Sequence, residues 1–231
     1  MDEERTAKVS AVAALAEPTR RRLYEHVVGQ GAPVSRDEAA AATDVPRATV
    51  AFHLDKLVDE GLLDVVFERR TGRSGPGAGR PSKLYRRAAC DVSVSLPERR
   101  YDLVGGLLAG AMEEAQGSGE SPREALARRA FDRGRELGRA ARADDGGAAG
   151  RDVVLRVLEE QGFEPRADDA VVTLANCPFH VLAAEHTELV CGMNLQLLGG
   201  VLEGAGASEF AARLQPTPGR CCVRLEAATR G

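Results

Sequence analysis

The sequence predicts an α+β protein, and three observations carry that reading. Most of the chain has helical periodicity, and runs of strand character are few and short. Two of those runs flank a Gly- and Pro-rich loop, Thr71–Pro81 (TGRSGPGAGRP), which can be neither helix nor core strand. Four of the five cysteines are gathered late, within residues 177–222.

The chain has 231 residues, enough for one large or two small domains. Lys and Arg number 31 against 35 Asp and Glu, a net charge of −4 that excludes a uniformly basic coating protein. With 43% hydrophobic residues there is material for a core, but aromatics are 4% and Trp is absent, so that core must be aliphatic and Ala-rich. No stretch approaches the ~18 apolar residues of a membrane span. The start, MDEERTAKVS, is acidic and polar, unlike a secretory signal. The expectation is a cytoplasmic protein with no membrane partner. Thiols are reduced in that compartment, so the cysteines read as metal ligands, redox groups or small core residues before they read as disulfides.

Charge is uneven. Met1–Cys90 carries 15 basic and 13 acidic residues, a net of +2, which leaves −6 for the remainder. Between Arg69 and Arg87 stand seven basic residues (Arg69, Arg70, Arg73, Arg80, Lys83, Arg86 and Arg87) and no acidic one. Such a stretch suits a polyanion.

Thr6–Ala16 and Thr19–Gly29 read as helices parted by Glu17-Pro18. Ser35-Arg36-Asp37-Glu38 fits a capping box, opening a short Ala-rich helix over Ser35–Ala42. Thr43-Asp44-Val45 breaks it. Pro46 suits the first turn of the next helix, Pro46–Glu60, where Val50, Leu54, Leu57 and Val58 form one apolar face and Gly61 marks the end. Arg47, Thr49, Phe52 and Lys56 fall elsewhere on that helix. Strands over Leu62–Arg69 and Lys83–Arg87 enclose the Gly-rich loop. Two short helices about a tight turn, followed by such a hairpin, make a winged helix-turn-helix whose second helix is sized for a major groove.

The segments LAEPTRRRLYEHV, ATVAFHLDKLVDEGLL and GRPSKLYRR resemble the ArsR-type winged-helix repressors, and GRPSKLY is similar to the wing-to-strand passage of their SufR-like branch. The likeness covers about the first ninety residues. The partner expected is an operator in double-stranded DNA, with Arg47, Thr49, Phe52, His53 and Lys56 on the helix and Arg73, Arg80 and Lys83 at the wing. His53 reads as a structural or phosphate-contacting residue. Phe52 could meet a thymine methyl or pack against the neighbouring helix, with packing preferred.

Arg99–Gln116, Pro122–Arg142 and Arg151–Gln161 read as helices, Ala170–Ala175 as a short strand, Phe179–Glu203 as a helical stretch and Cys222–Leu225 as a last strand. Arg142–Gly150 (RADDGGAAG) reads as a linker or long loop. The expected division is a DNA-binding domain over 1–92, a helical linker or dimerisation region over 93–146 and a Cys-rich sensor domain over 147–231. Readers of two half-sites are usually symmetric dimers, so a homodimer is expected through the middle helices and Thr6–Ala16; an intrachain bundle is equally compatible with their pattern.

The cysteines of the tail are Cys177, Cys191, Cys221 and Cys222, with His180 and His186 between the first two. Thiolates favour zinc, copper(I) and iron–sulfur centres. The spacing is neither that of a zinc ribbon nor that of a ferredoxin. The run NCP…LA…H.EL..C is similar to the C-terminal domain of SufR-like repressors. That resemblance implies an iron–sulfur cluster on Cys177, Cys191 and one of Cys221 or Cys222, with His186, Glu185 or His180 in a fourth position; zinc is the alternative. In one straight helix Cys177 and Cys191 would lie roughly 21 Å apart at ~1.5 Å per residue. A shared site therefore requires a helix break, expected at His186–Glu188. Of the adjacent pair Cys221-Cys222, strand alternation would turn one side chain away. The competing readings are a thiol-redox regulator without a cluster and a thiol enzyme with Cys177 as nucleophile beside His180; no catalytic pattern accompanies the latter, and the chain is expected not to be an enzyme.

Overall fold

Capping sets the first helices. α1 (Glu3–Ala14) is followed by α2 (Pro18–Val28), which opens on Glu17: its carboxylate accepts the N–H groups of Thr19 (2.9 Å) and Arg20 (2.6 Å), and Pro18 occupies the first turn, where no N–H is needed. α3 (Arg36–Thr43) has the expected capping box, with the Glu38 N–H donating to Ser35 Oγ (3.2 Å) and the Ser35 N–H donating to Glu38 Oε2 (2.8 Å). Asp44, at φ 52°, turns the chain out of α3, and α4 (Arg47–Asp59) follows. Gly61, at φ 70°, lets the chain reverse from α4 into β2 (Leu63–Glu68). β2 pairs antiparallel with β3 (Ser82–Arg87), and β1 (Val34–Ser35) adds to the other edge of β3, giving the order β1-β3-β2.

The structure is a computed structural model. It describes residues 3–69, 81–144, 149–168, 170–217 and 219–228, in two compact units, Met1–Val94 and Ser95–Gly231. The loop expected as the wing tip, with Arg73 and Arg80, lies outside the described residues, as do residues 145–148 of the Arg142–Gly150 segment.

The first unit has its own core. Leu23 and Val27 of α2, Val50, Leu54 and Leu57 of α4, Leu63 of β2 and Tyr85 of β3 are all buried together. Each such aliphatic side chain contributes about 1.5–3 kcal/mol of transfer free energy.

The second unit runs α5 (Tyr101–Ser118), α6 (Pro122–Asp144), α7 (Gly150–Glu160), β4 (Pro165–Ala167), β5 (Val171–Leu174), α8 (His180–Glu185), α9 (Thr187–Ala205), β6 (Phe210–Leu214) and β7 (Val223–Ala227). Its sheet is antiparallel throughout, ordered β4-β5-β7-β6. The helices set apart in sequence as a linker belong to this core: Val104, Leu107 and Ala111 of α5 and Leu126 and Ala130 of α6 are buried with Val153, Val157, Leu197 and Val201.

α6 and α9 meet backbone to backbone. A Cβ on Gly134 would overlap the carbonyl oxygen of Leu197, and one on Gly200 would overlap that of Phe131. Gly138 and Gly204, one turn on in each helix, are equally close to the opposite main chain. Spacing of i, i+4 puts both glycines of each helix on one face, and their lack of side chains sets the approach. The helical stretch Phe179–Glu203 is two helices: His186 ends α8 and begins α9 at φ −127°, ψ 51°, within the span where a break is required. β1, β4 and β6 are strands that the sequence reading did not include. Among the described residues no helix is long and apolar enough to cross a membrane.

Candidate functional site

The first candidate surface is on α4. Its inward face holds Val50, Leu54 and Leu57, as periodicity requires, and also His53, at 9% exposure. Of the roles expected for His53, its position matches the structural one. Its Nδ1 accepts from Arg20 Nε (3.5 Å) and lies 3.6 Å from Glu17 Oε2, so it ties α4 to the capped start of α2. Phe52 corrects the preference for packing: it is 65% exposed, touching the His53 ring edge-on with centroids 5.2 Å apart. Arg47, Ala48 and Thr49 are exposed beside it.

Among the described residues, the three cations proposed for DNA contact have partners within the chain. Arg47 Nε lies 2.5 Å from Asp37 Oδ1, Lys56 Nζ 2.6 Å from Glu60 Oε1 and Lys83 Nζ 2.5 Å from Asp55 Oδ1. The Arg47–Asp37 pair is solvent-exposed on both sides and worth about 0–1 kcal/mol, which leaves that cation available to a stronger anion, whereas Glu60, the partner of Lys56, is half-buried. Lys83 belongs to a larger clamp. Asp55 Oδ1 also accepts from Tyr85 Oη at 2.8 Å, and the Lys83 ammonium lies 5.2 Å from the centre of the Tyr85 ring. Residues 83 and 85 share one face of β3, so a single carboxylate on α4 fastens the helix to the returning strand. Partial burial works against the Asp55 carboxylate, but hydrogen bonds from Lys83 and Tyr85 outweigh it and hold its pKa below the ordinary value. Lys83 is raised by the same bond. This clamp escaped sequence reading; Asp55 on α4 and the Lys-x-Tyr spacing are the signals it left.

The second candidate site is where the tail cysteines meet. β5 and β7 pair antiparallel with Val172 opposite Leu225. That register brings the residues after β5 beside those before β7: the Cys221 N–H donates to Leu174 O at 3.0 Å, and Cys177 follows three residues later. Cys177 and Cys221 are in side-chain contact, Cys221 also meets Cys222, and Cys222 meets Cys191 on α9. Both members of the vicinal pair therefore face the other sulfurs, which corrects the expectation that one turns away. They precede β7 instead of lying in it, so strand alternation does not apply to them. All four are free thiols, with Cys177, Cys191 and Cys221 buried and Cys222 half-buried.

The surroundings raise the pKa of Cys177, Cys191 and Cys221. The hydrogen bond with Cys221, then burial, holds the Cys177 thiol far above its ordinary range. Burial pushes Cys191 up. At Cys221 the Cys177 thiol pulls the pKa down, but the Cys222 bond and burial leave it pushed up to about 11. The direction at Cys177 is opposite to the lowered pKa of an activated nucleophile, and Cys177 stands three residues ahead of a six-residue helix instead of at its start. His180, Glu185 and His186, proposed for a fourth ligand position, are all exposed.

Three polar residues at the cluster were missed in the sequence. Asn194 lies three residues after Cys191 and so on the same face of α9; it is 1% exposed and its Nδ2 donates to Cys221 Sγ at 3.3 Å. Its Oδ1 is buried without a partner. Arg99 Nη1 donates to Asn176 Oδ1 (2.6 Å) and to Cys177 O (3.0 Å), while Asn176 Nδ2 donates to Gly162 O (2.6 Å). These bonds fix the main chain that carries Cys177.

The thiol contacts form a line, Cys177–Cys221–Cys222–Cys191. Among the described residues no group of three or more His, Cys, Asp or Glu is spaced to hold a metal ion as it stands. The donor set itself is all sulfur, buried at three of its four members, and bordered by one orphaned amide oxygen, a chemistry suited to thiolate-bound centres.

No curated protein and no solved structure matches the chain. A family model described as a helix-turn-helix domain matches residues 15–66, from the end of α1 into β2. The first unit thus carries a helix-turn-helix domain with α4 as its second helix, which points to a DNA-binding transcriptional regulator.

Proposed function

We propose that the chain is a dimeric, cytoplasmic transcriptional repressor whose operator affinity is set by an iron–sulfur cluster on its C-terminal thiols. The observation that carries this reading is the meeting of Cys177, Cys191 and the adjacent pair Cys221-Cys222, three points far apart in sequence, in one largely buried place. Cys177, Cys191 and Cys221 would hold the cluster, with Cys222 able to supply a fourth sulfur. Bound there, a cluster supplies a centre whose oxidation state and integrity respond to oxidants and iron supply. The chain's own groups are placed to support thiolates: Asn194 donates an N–H to the Cys221 sulfur, and the Arg99 charge favours the ionised form of Cys177. Coupling to DNA is linkage: whichever sulfur state prefers one dimer geometry shifts the spacing of the two α4 helices. Arg47, Thr49 and Lys56 contact the operator, with Arg73 and Arg80 on backbone phosphates.

A second reading is favoured by the pairwise contacts. Oxidation would join Cys177 to Cys221 and Cys191 to Cys222, making a thiol-redox regulator with no metal. Zinc on the same sulfurs is the third possibility.

Anaerobic purification of the full chain, with iron, sulfide and zinc measured, separates these. A brown protein with iron and sulfide, lost in Cys177→Ser and Cys191→Ser, supports the cluster. Stoichiometric zinc in a colourless protein, or metal-free protein that reversibly loses four titratable thiols to peroxide, overturns it in favour of the corresponding alternative.

A further inference from the structure

Phe52 is the sixth residue of α4 and is 65% exposed. Ala48, one turn earlier on the same face, and Thr49 beside it are exposed as well. The N-terminal half of the helix therefore presents an apolar patch of a ring and two methyl groups. The cations that flank it lie against carboxylates, Arg47 against Asp37 and Lys56 against Glu60. In the first unit the ring gains little burial, so its exposure contributes nothing to that core. It is on the half of the second helix that, in a helix-turn-helix, enters the major groove. The apolar group that a base edge offers there is the C5 methyl of thymine.

We infer that Phe52, flanked by Ala48 and the Thr49 methyl, reads thymine methyl groups, so that each operator half-site carries thymine beneath the N-terminal half of α4. This rests on the reading of the chain as a DNA-binding regulator and names the base it selects. The contact needs no hydrogen bond and no charge. It transfers the ring and the methyl out of water together, and it discriminates thymine from cytosine and from uracil.

The test uses the full-length protein and duplexes selected from a random pool. In the selected site each thymine is replaced singly by uracil, which deletes the methyl and leaves pairing intact. Wild-type binding weakens roughly fourfold at one or two thymines per half-site, the value of one buried methyl. Phe52→Ala binds the site about 5- to 100-fold more weakly, is indifferent to uracil at those same positions and unfolds at the wild-type temperature, because the ring is exposed. Phe52→Leu keeps part of the uracil response. A wild type that binds its site but ignores every uracil overturns the inference and leaves the regulator reading standing. So does a Phe52→Ala protein with the wild-type uracil profile, or one whose oligomeric state changes, since the ring would then face another copy of the chain. A wild type that retains no duplex even at low salt overturns both.

Discussion

In the first unit a helix is seated by side chains; in the second it is seated by their absence. α4 reaches the β1-β3-β2 sheet and α2 through Val50, Leu54 and Leu57, an interdigitated aliphatic core. α9 reaches α6 through Gly134, Gly138, Gly200 and Gly204, where the two main chains touch. The first arrangement is tolerant in detail, since volume-conserving swaps among aliphatic residues cost little. The second tolerates no added atom. That rigidity has a use: α9 carries Cys191 and Asn194, and a helix held by its backbone keeps them in fixed register with Cys221.

The contrast predicts opposite responses to size. Leu54→Ala removes atoms from the first core and should cost about 2–5 kcal/mol, whereas Gly200→Ala adds one methyl to the second and should cost about 3 kcal/mol. Urea unfolding followed separately by probes in each unit would check this. If Gly200→Ala proves neutral, the close approach of α6 and α9 is wrong.

A smaller effect concerns the Asp55 clamp, where the first unit uses polar groups as the second uses its thiols. The folded-state pKa of Asp55 is depressed, so its stabilisation is complete above the ordinary carboxylate value and is lost as pH falls through the folded value. Asp55→Asn should cost about 1 kcal/mol at neutral pH, solvent screening included, and should flatten the acid limb of the stability profile. An unchanged acid limb would show that Lys83 and Tyr85 do not hold that carboxylate in solution. The smallest change is local. Ser35→Ala removes the capping-box oxygen of α3 and should lower stability by about 1 kcal/mol or less, read as a shift of ~2–4 °C in thermal unfolding.

The two units also differ in how far their sequence could be read. In the first, the signals are short-range: Ser35 and Glu38 are three residues apart, Gly61 ends one helix, and Val50, Leu54 and Leu57 repeat within three turns. Their physics is local, and the elements emerged with nearly the right limits. What escaped was side-chain direction, which neighbours settle: His53 turned inward to Glu17 and Arg20, Phe52 stayed out, and Lys83 took Asp55. In the second unit the need for a break near His186 could be argued from distance alone. The edge strands β4 and β6 could not, because Pro165–Ala167 and Phe210–Leu214 are short and become strands by pairing with β5 and β7.

By itself the sequence determined the α+β class, the helix-turn-helix with its hairpin, the apolar stripe of α4 and the list of sulfurs. These follow from periodicity, caps and turns, each decided within a few residues. Tertiary structure alone decided that Cys177 faces Cys221, that Cys191 faces Cys222, and that Asn194 and Arg99 stand among them. Those neighbours arise from the antiparallel register of β5 with β7 and from two glycine-faced helices in contact, and such long-range geometry leaves almost no trace in the order of residues along the chain.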